Sequence, residues 1–177
     1  MKPFQAKQAL GRYCGFLQDK AVPAEHLKKI VQAGFEARSG RDRRISEIVA
    51  ITEAQKLAAI RGIIPGRAFI ATAPAFIAAI FEVRAQPVSV YAYTSELEDN
   101  AAVAHDLLRA ITALGYASVW LDSLLGFESR AKRIGEVIGL PDYQRVRVLL
   151  PVGVAAAQAT RRQRQSLPER AWNAKSG

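Results

Sequence analysis

The sequence predicts an α+β fold: a mixed, mainly antiparallel central sheet flanked by helices. Three observations carry this. Segments with helical periodicity are interspersed with short apolar or alternating runs of strand length. Some neighbouring strands lack a helical crossover between them, as antiparallel pairing allows. There is no internal repeat and no low-complexity linker in the 177 residues, a length that suits one domain with a substantial core. Residues 1–177 are therefore expected to form a single domain, with 155–177 as a basic extension.

The elements follow in order. Pro3 to Arg12 predicts a first helix with Phe4, Ala6, Ala9 and Leu10 loosely on one side. Pro23 sits where proline favours helix initiation, ahead of the face Leu27, Ile30, Val31, Phe35. Glu47 to Ile51 has strand character. Thr52 with Gln55 spells a capping box for a helix carrying Leu57, Ile60 and Ile64, which Pro65-Gly66 would end. After Pro74, the apolar run AFIAAIFEV predicts a buried strand. Ser95 with Glu98 is a second capping box, opening a long helix whose buried face would be Ala101, Ala104, Leu107, Leu108, Ile111 and Leu114, with Gly115 just past its end. Ala117 to Leu121 is the next strand, Ser129 to Gly139 a short helix closed by Leu140-Pro141, and Arg145 to Val154 a partly alternating strand. Beyond Ala155 the tail is polar and basic.

Composition bounds the function. The 25 Lys and Arg against 16 Asp and Glu leave a formal charge of +9, which favours anionic partners. Cys14 is the only cysteine, so no intrachain disulfide forms, and a cytoplasmic location is expected. The two histidines, His26 and His105, have no cysteine cluster beside them and spell no zinc site. The longest uncharged run, Ala68 to Phe81, is 14 residues and contains Pro74, too short for the roughly 20 residues of a membrane span. No phosphate loop, no GxGxxG after a strand and no GxSxG elbow is present. Cys14 suits a small buried hydrophobe and His105 a packed or solvent-edge position better than a catalytic role. Any redox or group-transfer chemistry must then come from a bound cofactor.

The densest positive charge is ARSGRDRR, Ala37 to Arg44, with four arginines in eight residues. Three readings compete: a solvated loop, a nucleic-acid patch, and a cradle for a phosphorylated small molecule. No nucleic-acid module or interleaved aromatic residues accompany the arginines, which leaves specific nucleic-acid binding the least supported.

Four blocks appear in a telling order: FLQDKAVPAEHLKKIVQAG (16–34) with the arginine loop behind it, ATAPAFIAAI (71–80), EDNAAVAHDLLRAITALGYASVWLD (98–122), and IGEVIGLPDYQRVRVLLPVGV (134–154) followed by RRQRQSLPE. Their order and spacing resemble the FMN-dependent nitroreductase family, in a compact form without the long helical insertion of larger members. The resemblance implies an α+β homodimer with flavin sites at the subunit interface, with the extension 155–177 packing on the partner. It also implies hydride transfer from NADH or NADPH through FMN to nitro compounds, quinones or similar small-molecule acceptors.

Carried over position by position, the family's opening Arg-x-Ser-x-Arg falls on GRYCG, placing Arg12 and Tyr13 at the cofactor. Its flavin loop falls on ARSGRDRRIS, implying roles for Ser39, Gly40, Asp42 in the usual Asn place and Arg44 in the usual Gln place. Asp42 puts a carboxylate where an amide is usual, disfavouring an electron-rich reduced flavin unless a neighbouring arginine neutralises it. The pair whose backbone faces flavin N5 corresponds to Asp122-Ser123, and the closing basic pair to Arg162 and Arg164, a suitable phosphate fork. No catalytic residue is singled out. If Arg12, Arg162 and Arg164 converge with the arginine loop on one ligand, the phosphate cradle explains the loop; a solvated loop with Asp42 paired to its own arginines stays open. The alternative function is a protein of this fold that binds another anionic ligand without redox turnover.

Overall fold

The computed structural model describes residues 15–39, 46–82 and 96–157. The first helix expected at Pro3 to Arg12 and the Ser95 capping position lie outside them.

The run Ala75–Glu82 forms the inner strand β2, and its neighbours explain its composition. It pairs with β1 (Glu47–Ile51) on one side and with β4 (Gln144–Gly153) on the other. Strand β3 (Ala117–Ser118) completes the order β1-β2-β4-β3, and all three pairings are antiparallel. Helices cover both faces. Phe76, Ala78 and Ile80 join the core beneath α2 (Ala54–Ile63) and α5 (Arg130–Ile138). Ala75, Ile77 and Ala79 join the core beneath α1 (Ala24–Phe35) and α4 (Glu96–Ala113). With no face toward water over most of its length, β2 has no reason to alternate, so it is apolar from Ala75 to Phe81. A single-turn helix α3 (Ala68–Ala71), which the periodicity does not announce, leads into β2.

Strand β4 does alternate, but its phase breaks. Ala79 pairs with Val148 while Ile80 pairs with Val146, so Arg147 is an extra residue, a β-bulge. As a result Val146 faces the same layer as Leu149, whereas Val148, Leu150 and Val152 face the α1/α4 layer. This is why the sequence alternates only partly over Arg145 to Val154.

Several expectations are corrected. Helix α1 buries Leu27, Ile30 and Gly34, while Val31 is half-buried and Phe35 is 59% exposed. The stripe is rotated because Gly34, lacking a side chain, lies against Leu107 of α4. The buried stripe of α4 includes Val103 besides Ala104, Leu107 and Ile111; Ala101 is exposed, and Leu108 and Leu114 are half-buried. The Thr52 capping box does not form. Ile51 still pairs with Phe76, so the chain needs Thr52 and Glu53 to turn out of the sheet, and the helix opens at Ala54. Its first turn is tied instead by Lys56 Nζ donating to Glu53 Oε1 at 2.7 Å. Strand β3 pairs over two residues rather than five. The end of α4 follows expectation, whereas α5 closes at Gly139, just ahead of the expected Leu140-Pro141. Gly115 and Gly139, each at φ +82°, close α4 and α5, with the amides of Tyr116 and Leu140 reaching back to Ile111 and Gly135.

The start of the C-terminal extension is held in the fold: Leu17 N–H donates to the Val154 carbonyl at 2.9 Å and Ala156 N–H to that of Gly15 at 3.0 Å. Residues 158–177 lie outside the described part of the chain.

At the other end of α4, Tyr116 Oη and His26 Nδ1 share a hydrogen bond of 2.7 Å, joining α4 to the first turn of α1. Burial, and to a lesser extent the Glu25 carboxylate, raises the Tyr116 pKa above its ordinary 10.0. A raised folded-state value means that this stabilisation is complete below about pH 10 and is lost as pH climbs through the raised value. Tyr116→Phe is expected to cost about 0.5–1.5 kcal/mol in urea unfolding at pH 8. It should also flatten the alkaline loss of stability; an unaltered alkaline limb would place that loss elsewhere.

Candidate functional site

The short β3 creates the site. After Ala117 and Ser118 pair with Gly153 and Val152, the chain bridges to β4 only once more among the described residues, at Leu121 opposite Leu149. It then leaves as the 3₁₀ turn Ser123–Gly126. Among the described residues, the outer edge of β4 from Gln144 to Val148 therefore has no ladder partner. Asp122 caps the turn, its carboxylate accepting from the Ser123 N–H. Two left-handed non-glycine residues, Glu128 (φ 51°) and Ser129 (φ 54°), then swing the chain into α5. That backbone is costly, on the order of 1–3 kcal/mol per residue. Arg130 braces it, donating from Nη2 to Glu128 Oε2 at 3.2 Å and from Nη1 to the Leu124 carbonyl at 3.5 Å.

Between this turn and the outer edge of β4 lies a cavity of about 590 Å³. Phe81, Leu97, Leu125 and Ala131 give it apolar walls. Its polar groups are Asp122 and Ser123 on the turn and Arg145 and Arg147 on β4. The Arg145 side chain is anchored, with Nη1 donating to the carbonyls of Asp142 and Gln144, each at 2.7 Å. Nearby, Gln144 Nε2 donates to Glu47 Oε1 at 2.7 Å, fixing the start of β4 across the sheet. Apolar walls with a few converging polar groups are what a flat ring with a polar rim requires.

Of the site residues carried over by resemblance, Asp122 and Ser123 line this cavity. Ser39 does not. It lines a separate crevice of about 20 Å³ with Ser46 and the buried Asp99, room for one water. Arg12, Tyr13, Gly40, Asp42, Arg44, Arg162 and Arg164 lie outside the described residues. Sequence reasoning missed Arg145 and Arg147, whose signal was a pair of arginines alternating with the core residues Val146 and Val148. His105 lies at the solvent edge, its side chain 69% exposed. Among the described residues no cluster of His, Cys, Asp and Glu could hold a metal ion, and no helix is long and apolar enough to cross a membrane.

Comparison with known proteins places this architecture. The model of the Nitroreductase family matches residues 15–154. No curated protein matches. Among solved structures, an FMN-dependent nitroreductase of Clostridium difficile R20291 superposes with a TM-score of 0.76 at 20% identity, covering 99% of this chain and 100% of that one. A Desulfovibrio desulfuricans protein named as a nitroreductase and solved in complex with FMN gives 0.80 at 18% identity, over 100% and 99% of the two chains. A Bacteroides thetaiotaomicron protein named as an NADH dehydrogenase/NAD(P)H nitroreductase gives 0.79 at 22% identity, over 98% of each. At these identities the likeness is one of fold.

Proposed function

Because this chain belongs to the nitroreductase family, we propose that it is an FMN-dependent oxidoreductase, taking hydride from NADH or NADPH and reducing nitro compounds, quinones or similar acceptors. The observation that carries this reading is the cavity at Asp122-Ser123, inside the matched span. Its residues suit the group: an isoalloxazine ring has a broad apolar body and polar atoms along one edge, and the cavity volume falls in the usual range of about 300–1,000 Å³ for small-molecule sites. When bound, FMN supplies two-electron chemistry, accepting a hydride and passing it on.

The chain supplies the surroundings. Phe81, Leu97 and Leu125 exclude water from the ring's flanks. Asp122 holds its turn in shape through the Ser123 N–H, and Arg147 adds a guanidinium from β4 to the lining. Arg12, Arg162 and Arg164 are the proposed phosphate grip, with Tyr13, Ser39, Gly40, Asp42 and Arg44 the remaining proposed flavin contacts. Like its relatives by resemblance, the protein is proposed to act as a homodimer, with the extension 155–177 lying on the partner, in the cytoplasm.

The test is reconstitution. Protein mixed with excess FMN and desalted should emerge yellow with quenched flavin fluorescence, and should then oxidise NADH or NADPH when a quinone is supplied. FMN left behind in the column would overturn the reading. FMN retained with no oxidation of either nucleotide would favour a binding protein without turnover.

A further inference from the structure

The cavity carries formal positive charge besides the apolar walls and hydrogen-bonding groups that a flat ring with a polar rim requires. Arg145 bonds only neutral carbonyls, those of Asp142 and Gln144, both through Nη1. Among the described residues no carboxylate pairs with it, so its guanidinium is held in place yet keeps its formal charge, with Nη2 and Nε bonding no described residue. Its direct cross-strand partner is Phe81, and Leu97 of α4 lines the same cavity. Apolar neighbours weaken solvent screening and strengthen an ionic contact made there. Arg147, displaced by the bulge, lines the cavity as a second cation. Among the described residues of the lining, Asp122 is the one acidic group, and it is turned onto the Ser123 N–H.

We propose that Arg145 selects anionic acceptors, specifically flat aromatic compounds bearing one carboxylate. This rests on the oxidoreductase reading. A planar guanidinium presents paired donors that match a carboxylate, as an ammonium or hydroxyl does not. Arg145 is thus a specificity residue rather than a catalytic one.

The experiment compares 4-nitrobenzoate with 4-nitrobenzamide, which has the same ring and nitro group without the charge, as acceptors for the FMN-loaded protein. In each turnover NADPH and one proton convert the nitro group to nitroso, releasing water and NADP⁺. In parallel, benzoate and benzamide are titrated calorimetrically into the same protein without reductant. The wild type should favour the anion about tenfold in kcat/KM, expressed in KM, and about tenfold in Kd, the lower end for a charge-assisted contact at a partly open site. Arg145→Gln should bring both ratios close to one. Arg145→Lys, which keeps the charge without the planar fork, should retain part of the preference. Equal handling of anion and amide by the wild type, or a preference that survives Arg145→Gln, overturns the proposal. Failure of the oxidoreductase reading would look different: neither nitro compound would be reduced, while the benzoate-to-benzamide binding ratio would still report on Arg145.

Discussion

Phe76→Ala should lower stability by about 3–5 kcal/mol, the range for truncating a fully buried aromatic side chain. Phe76 has no exposed surface and lies on β2, bracketed by Ile51 of β1 and Pro151 of β4. A cavity beneath an edge strand can partly collapse as the strand shifts. Here strands hold β2 on both sides and a helical layer covers each face, so little can move in. Since whole domains are stable by about 5–15 kcal/mol, the loss is a large share of the total. Urea unfolding of the variant should show a much lower midpoint at an unchanged slope. Phe35→Ala is the contrast: with 59% of its surface exposed, Phe35 should contribute within about 0.5 kcal/mol. Similar losses at the two positions would mean that the layering described for this sheet is wrong.

Gly34→Ala is the second large effect, and its sign is not obvious in advance. Inside a helix, alanine is favoured over glycine by roughly 0.8–1 kcal/mol, so propensity alone predicts stabilisation. A Cβ at this position, however, would stand 2.7 Å from Leu107 Cδ2, 2.8 Å from Leu107 Cγ and 2.8 Å from Ile48 Cδ1. One flexible methyl could swing away. Leu107 is fully buried and meets the new atom at its branch point, so α4 itself must retreat from α1. Overpacking of this kind costs about 1–3 kcal/mol, which outweighs the propensity gain. Net destabilisation of about 1–2 kcal/mol is expected from the difference of these terms, and Gly34→Leu should be worse. A variant more stable than the wild type would show that α1 and α4 are not in close contact. The same junction precedes Ala37 and Ser39, so the damage should spread toward the crevice that Ser39 lines.

How far the sequence could be read depended on whether a feature lies in one segment or between two. Strand β2 was legible because seven apolar residues in a row, Ala75 to Phe81, leave few alternatives, and the end of α4 because Gly115 closes it. The rotation of the α1 stripe was not legible. It is set by the approach of Leu107 to Gly34, a contact 73 positions apart along the chain. The shortness of β3 follows from the chain's exit into the Asp122 turn, which strand propensity in ASVWL does not foresee. The candidate site divides the same way. Asp122-Ser123 came with the family resemblance and lines the cavity, while Ser39 lines a different crevice. Arg145 and Arg147 were invisible as a pair because the bulge that displaces Arg147 is a property of pairing with β2.

That bulge makes Arg147 an optional residue. Excising it would leave Ile80 opposite Val146 and Ala79 opposite Val148, the partners they already have, now in an unbroken ladder. Every core side chain of β4 would keep its present face. Deleting Val148 instead would keep the register but set Arg147 opposite Ala79, putting a guanidinium into the α1/α4 core layer. Lineages can therefore add or drop a cation at this cavity by a single codon of length, without rebuilding the core beneath it, and differences in ligand preference between related chains can be sought in gaps as well as in substitutions.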